Sequence, residues 1–295
     1  MAINEISLRK FAQNSGIDAI GYFKGGNFQE YLETIKELKE FYNFEYKSFQ
    51  NFIQAGTIAE KYKTVIVIIK DYFFEKVSDK EELKLSNYTR FCWQTVDPKA
   101  DRLIELLKTN GYIAEKINTP DRAAACKAGL GFIGKNCMFY AYGLGSYVGI
   151  RTIGTNLDLA TENLAEERVK NEKCLRCKRC VDSCPTNAIV KEGYRINPLK
   201  CISFINRHAE DARKIIPDNI LKINNWVHGC EICQDCCQLN KGIVHKMDVT
   251  HSESINLYGM KVDNKASIEK NDLKDKMDEI KEPEYKKFIN LLLKS

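Results

Sequence analysis

The chain has 295 residues and a mass of 33.9 kDa, room for one large domain or two ordinary ones with buried cores. At 44% hydrophobic and 29% charged residues the composition is globular, and no apolar run nears the roughly 18 residues of a membrane span, so membrane partners are excluded. The formal charge of +5 permits an acidic partner such as RNA without requiring one, and Glu5, Arg9 and Lys10 stand where a secretory signal would be apolar, which points to the cytoplasm.

SLRKFAQNSG has the pattern of a short helix ending at Gly16, and AIGYF after it that of a strand. KTVIVIIKDYFF is a β-branched apolar run of the kind buried in a sheet. ADRLIELLKTNGY carries helical spacing at Leu103, Ile104, Leu106 and Leu107 with a stop at Gly111, and DRAAACKA is again helical. SYVGIRTIGTNLDL adds one or two strands, and NLAEERVKNEK is a charged helix or linker. Nine of the twelve cysteines fall between 174 and 237, where little hydrophobic periodicity exists, so a bound metal must organise that zone. EYKKFINLLLKS closes the chain as a helix that packs Phe288, Ile289, Leu291 and Leu292 onto the body. The fold class expected is α+β. An N-terminal α/β domain with a mixed sheet spans 1–165, a ferredoxin-like module with two 4Fe-4S clusters spans 166–250, and a C-terminal helical extension spans 251–295.

Cys174, Cys177, Cys180 and Cys184 stand at C-x2-C-x2-C-x3-C, followed by Pro185. In a two-cluster ferredoxin the first three thiolates of such a run wrap one cube and the fourth reaches the other. Further cysteines are therefore required, and Cys201 and GCEICQDCCQLNK supply them. The crossed arrangement gives Cys174, Cys177, Cys180 and one late cysteine to the first cube, and Cys184, Cys201, Cys230 and Cys233 to the second. A C-x2-C-x3-C reading of the late group selects Cys237 as the remaining ligand; a C-x2-C-x2-C reading selects Cys236. Paired C-x2-C also suits structural zinc, but the three-cysteine run closed by proline is an iron-sulfur spacing. Cys92, Cys126 and Cys137 lack partners at ligand spacing and are expected as small buried hydrophobes. In the reducing cytosol none of the twelve needs a disulfide.

GLGFIG, Gly129 to Gly134, matches a dinucleotide fingerprint in letters but follows a helix rather than a strand, so no nicotinamide site is expected. His208, His228, His245 and His251 show no metal-ligand spacing and are expected to be ordinary hydrogen-bonded or surface residues.

AGLGFIGKN, the cysteine run, KCISFINRH and GCEICQDCCQLNK together resemble the epoxyqueuosine reductase family in order and spacing, over about residues 1–245. The resemblance implies a corrinoid-binding domain joined to a two-cluster module, with the clusters feeding electrons to cobalamin for removal of an epoxide oxygen from a modified tRNA. It further implies a donor such as flavodoxin or ferredoxin and, without an Asp-x-His-x-x-Gly segment, no histidine beneath the cobalt. Gly129, Gly131, Gly134, Lys135 and Asn136 are the residues it places against the corrinoid. The family's proton-donating aspartate falls in EKINTPDRAAACK, where Glu115, Asn118 and Asp121 compete and Asp121 is chosen. Asp121 also suits a helix start, where the dipole favours an acid. YTRFCWQT keeps the family's Tyr88 and Arg90 but loses later positions, and Gln238 stands where proline is usual. These departures leave a divergent paralogue acting on another substrate, or an electron carrier without catalysis, as alternatives.

Overall fold

A computed structural model describes residues 3–42, 53–73, 83–159, 171–207, 225–245, 254–257, 260–263, 267–281 and 283–294. The segment NLAEERVKNEK, His208 and His251 fall wholly or mainly outside this set. Contacts divide the chain into two units, neither a continuous stretch. The first draws on 1–71, 95–133 and 139–170, the second on 72–94, 134–138 and 171–295.

In the first unit, α1 (Glu5–Asn14) starts at Asn4, whose side chain accepts the Ser7 N–H at 3.0 Å while Ser7 Oγ accepts the Asn4 N–H at 2.9 Å. This reciprocal cap satisfies two donors that a helix start leaves open. β1 (Ala19–Lys24), β2 (Thr64–Asp71), β4 (Ala114–Lys116) and β7 (Val148–Thr155) form a sheet in the order β1-β2-β7-β4. Every described pairing in it is antiparallel, so the sheet is not the mixed one expected. The apolar run is a strand as read, but its neighbours return by reversals rather than parallel crossovers. All eight residues of β2 are buried, the mark of a central strand covered on both faces. Its odd positions Val65, Val67 and Ile69 pack with Ala124 and Ala125 of α4 (Asp121–Lys127) in one apolar cluster.

α2 (Gln29–Tyr42) and α3 (Trp93–Thr109) complete the longer helices of the N-terminal half. α3 buries Val96, Ala100, Leu103 and Leu107, the stripe its sequence spacing announces. It follows a turn of π-helix over Tyr88–Cys92, a rare form that recurs at functional sites.

The second unit has an apolar core, built almost wholly from residues outside the cysteine zone 174–237. β3 (Leu83–Leu85) pairs in parallel with β8 (Trp226–His228) and antiparallel with β11 (Ser267–Ile268). β9 (Ser254–Leu257) and β10 (Met260–Asp263) pair antiparallel, and α9 (Lys270–Asp275) and α10 (Pro283–Lys294) follow. Leu85, Val227, Leu257, Met260, Leu273 and Phe288 belong to one buried cluster. The C-terminal segment thus opens with three short strands before its helices. Ile255, Leu257, Met260 and Val262 alternate with polar residues, and that period of two selects strand over helix. Phe288, Ile289 and Leu292 are buried as expected, while the Leu291 side chain lies outside the described residues. No described helix is long and apolar enough to cross a membrane.

Candidate functional site

Of the cysteines between 174 and 237, Cys174, Cys180 and Cys233 sit on one-turn helices, and the others lie in the loops beside them. α5 (Glu172–Leu175) opens at Asn171, whose Oδ1 accepts from the N–H groups of Lys173 and Cys174 at 3.0 and 3.3 Å. α6 (Arg179–Asp182) carries Cys180, α7 (Ile202–Arg207) follows Cys201, and α8 (Ile232–Asp235) carries Cys233. Single turns of this kind are unstable alone in water, so their placement depends on what they surround.

The thiols fall into two crowds. Burial, and then the thiols of Cys236, Cys174, Cys237 and Cys177, push Cys180 up to about 12. Cys230 is pushed up to about 12 by burial, with Cys201 and Cys184 beside it. Cys233 is raised well above the usual thiol range by burial, then by Cys230 and Cys201, and further by Cys180 and Cys236. Neighbouring thiols oppose one another's ionisation until a cation takes the protons' place, which is the chemistry of a thiolate donor set. Among the described residues no three His, Cys, Asp or Glu side chains converge as the ligands of a single ion would. A cube distributes its four thiolates over separate irons and suits such spread sets better than tetrahedral zinc.

Both late cysteines lie beside Cys180. The Cys236 thiol is engaged by Ser183 and by the Cys233 carbonyl at 3.6 Å. Backbone N–H groups point at two of the sulfurs: Lys135 donates to Cys174 Sγ at 3.3 Å and Ala188 to Cys184 Sγ at 3.2 Å. Donors of this type favour thiolate and help set cluster potential.

Around Cys230 lies a buried polar group that the sequence did not disclose. Glu231 has no exposed surface and accepts from Asn87 Nδ2 and the Tyr88 N–H, both at 3.2 Å. Arg90 is buried, and desolvation lowers it to about 10 against the attraction of Glu231. Tyr88 and Arg90, retained from the family pattern, therefore belong to the unit that carries the cysteines.

In the first unit the structure separates the three acid candidates. Asp121 opens α4, half-buried, with Thr119 Oγ1 3.4 Å from its Oδ1. That hydroxyl also donates to Thr152 Oγ1 at 2.9 Å, and Thr152 donates to the Ile117 carbonyl at 2.9 Å. Desolvation raises Asp121 to about 6, outweighing the opposing pull of Arg151, Thr119 and Arg122. Glu115 goes the other way, lowered by hydrogen bonds from Lys61 and Tyr62, with Lys61 Nζ at 2.5 Å. It is ionised at neutral pH. Asn118 has no proton of carboxylic acidity to give. The bidentate pair of Arg151 with Asp97 in the same unit carried no motif and was missed.

The residues expected against a corrinoid have roles inside the chain. Gly129 closes α4 at φ +70°, a left-handed end that favours glycine. A Cβ on Gly131 would stand 2.0 Å from the Tyr140 carbonyl, because β5 (Gly131–Ile133) pairs tightly with β6 (Phe139–Ala141). Gly134 closes a turn in which its N–H donates to the Met138 carbonyl and its carbonyl accepts from Cys137, both at 2.9 Å. Lys135 and Asn136 are buried: Lys135 Nζ donates to the carbonyls of Leu175 and Cys177 at 2.8 and 3.0 Å, and Asn136 Nδ2 donates to that of Cys233 at 3.1 Å. The last two residues of the segment thus serve the cysteine loops.

Cys92 is buried as expected, but Cys126 and Cys137 are only half-buried. His228 Nδ1 lies 2.9 Å from Thr89 Oγ1, and His245 stacks on Phe73 at 4.2 Å.

Residues 173–240 match a family described as a 4Fe-4S double cluster binding domain. An epoxyqueuosine reductase of Lactococcus garvieae is 30% identical over 254 residues, 80% of this chain and 69% of that protein. A crystal structure of epoxyqueuosine reductase with a tRNA-Tyr epoxyqueuosine-modified stem loop shares the fold at a TM-score of 0.69 and 23% identity, covering 98% of this chain and 80% of that one. A reductive dehalogenase whose structure suggests a mechanism for B12-dependent dehalogenation shares it at 0.53 and 13% identity, covering 97% of this chain and 35% of that one.

Proposed function

The chain belongs to the epoxyqueuosine reductase family, and from that premise we propose that it is an iron-sulfur reductase that removes the epoxide oxygen of epoxyqueuosine in tRNA. Two electrons and two protons take that oxygen away as water. The observation that carries the proposal is the division of the cysteines into two crowds, which supplies a route for the electrons. Cys174, Cys177, Cys180 and Cys237 are assigned to the first cube, and Cys184, Cys201, Cys230 and Cys233 to the second. A flavodoxin or ferredoxin is the proposed donor.

Asp121 is proposed to deliver a proton. A carboxyl titrating near 6 keeps an acidic proton close to working pH, while an ordinary aspartate has lost it. The Thr119 hydroxyl orients the carboxyl, and Arg151 and Arg122 stabilise the carboxylate left after transfer. Cobalamin is the proposed third cofactor, on the fold shared with a B12-dependent dehalogenase. Gly129, Gly131, Gly134, Lys135 and Asn136 are the residues proposed beside it, where backbone without side chains permits a close approach. The test is conversion of epoxyqueuosine to queuosine in tRNA by anaerobically prepared protein with added cobalamin and a strong reductant. The lost residues after Arg90 and the replacement by Gln238 favour a second reading, a related reductase with another substrate.

A further inference from the structure

We propose that Lys135 and Tyr194 act together as positioning residues on Cys174, stabilising the reduced first cluster and raising its potential. The inference rests on the two-cluster reading.

Lys135 reaches the first cysteine loop at both ends. Its N–H donates to Cys174 Sγ, and its ammonium is held between the carbonyls of Leu175 and Cys177, the residue as a whole being 8% exposed. Among the described residues its partners are carbonyl dipoles and a sulfur, with no carboxylate. A buried cation without a counter-charge is costly. A cube with four thiolates is a net anion, more so when reduced, and supplies the missing charge.

Tyr194 is bolted to the same lysine. Its N–H donates to the Lys135 carbonyl at 2.8 Å from a left-handed backbone, φ +61°, rare outside glycine. The preceding Gly193 has no room for a Cβ, which would stand 2.5 Å from Lys135 Cγ. The Tyr194 hydroxyl is buried and closes no hydrogen bond of ordinary geometry, and the group it faces is the Cys174 sulfur, with Cys180 next. An orphaned phenol aimed at a thiol has its acceptor once that sulfur is iron-bound thiolate. The strained backbone is therefore spent on aiming a donor.

The second crowd has a charged neighbour that is already opposed: Glu231 beside Cys230 is buried and attracted to the buried Arg90. A nearby cation favours the added electron, so the ammonium of Lys135 makes the first cluster easier to reduce than it would be without it.

The test is a redox titration, followed by electron paramagnetic resonance, of anaerobically loaded wild type, Tyr194→Phe and Lys135→Met, with Cys184→Ser identifying the second cluster's signal. The expected result is a shift of the first cluster to more negative potential in both variants, about tenfold in the one-electron equilibrium or 59 mV for Lys135→Met and less for Tyr194→Phe. The second cluster should stay in place and iron content remain that of wild type. If Lys135→Met fails to assemble, Tyr194→Phe decides alone. Unchanged potentials at full iron content, or equal shifts in both clusters, would overturn the proposal. A wild type with no iron-sulfur signal would remove the two-cluster reading beneath it, a distinguishable failure.

Discussion

Asn206 clasps Gly229 through both halves of its amide. Oδ1 accepts the Gly229 N–H and Nδ2 donates to the Gly229 carbonyl, each at 2.9 Å, and Nδ2 also reaches the Trp226 carbonyl at 3.3 Å. Asn206 is fully buried, and the clasp fixes the residue just before Cys230 to the helix that follows Cys201. Asn206→Ala leaves two buried backbone groups of Gly229 unpaired. The expected cost is about 3 kcal/mol in chemical denaturation, with preferential loss of the second cluster in iron analysis. An unchanged midpoint and full iron content would show that water replaces the clasp.

Asp121, the proposed proton donor, has its own signature in stability. Asp121 titrates near 6 in the folded chain against an ordinary 3.8, so the folded state binds more protons between these values than the unfolded state does. Its contribution is therefore full below about pH 4 and is lost as pH rises through about 6. Asp121→Asn, fixed neutral, escapes that loss. Its melting temperature above pH 6 should equal or exceed wild type, while turnover falls roughly 100-fold, the usual scale of general acid catalysis. Wild-type turnover should decline as pH rises through about 6. A lowered melting temperature with normal turnover would assign Asp121 to the helix start instead.

The late ligand is decided by serine substitution. Cys237→Ser should halve the iron of wild type by costing the first cluster, and Cys177→Ser should cost the same one. Cys236→Ser should leave iron content unchanged, because its thiol already has Ser183 and the Cys233 carbonyl. A larger effect from Cys236→Ser would exchange the two assignments.

Much of this was legible in the chain because the strongest signals are local. The spacing from Cys174 to Pro185 and the apolar run of β2 carry their meaning within a dozen residues. The fate of the C-terminal segment did not show in the same way. Its strands are four residues or fewer; β9 and β10 pair only with each other, and β11 finds its partner in β3, far away in sequence. Lys135 and Glu231 were obscured for another reason. A charged residue usually marks the surface, and only burial reveals that each faces a cysteine loop.

That remote core has its own test. Phe288 is 1% exposed in a cluster with Leu85 and Val227, and the nearby Tyr285 hydroxyl donates to the Val227 carbonyl at 3.1 Å. Phe288→Ala should cost about 3–5 kcal/mol in urea unfolding of the second unit. A cost near zero would mean that the C-terminal segment is an appendage after all.

The central claim is reduction of epoxyqueuosine through two clusters. Its most direct test is nucleoside analysis of epoxyqueuosine-modified tRNA after incubation with the anaerobic, cluster-loaded protein, cobalamin and a strong reductant. Queuosine should appear with wild type and fail to appear with Cys177→Ser. A wild-type protein with both clusters reducible that leaves epoxyqueuosine intact would contradict the account.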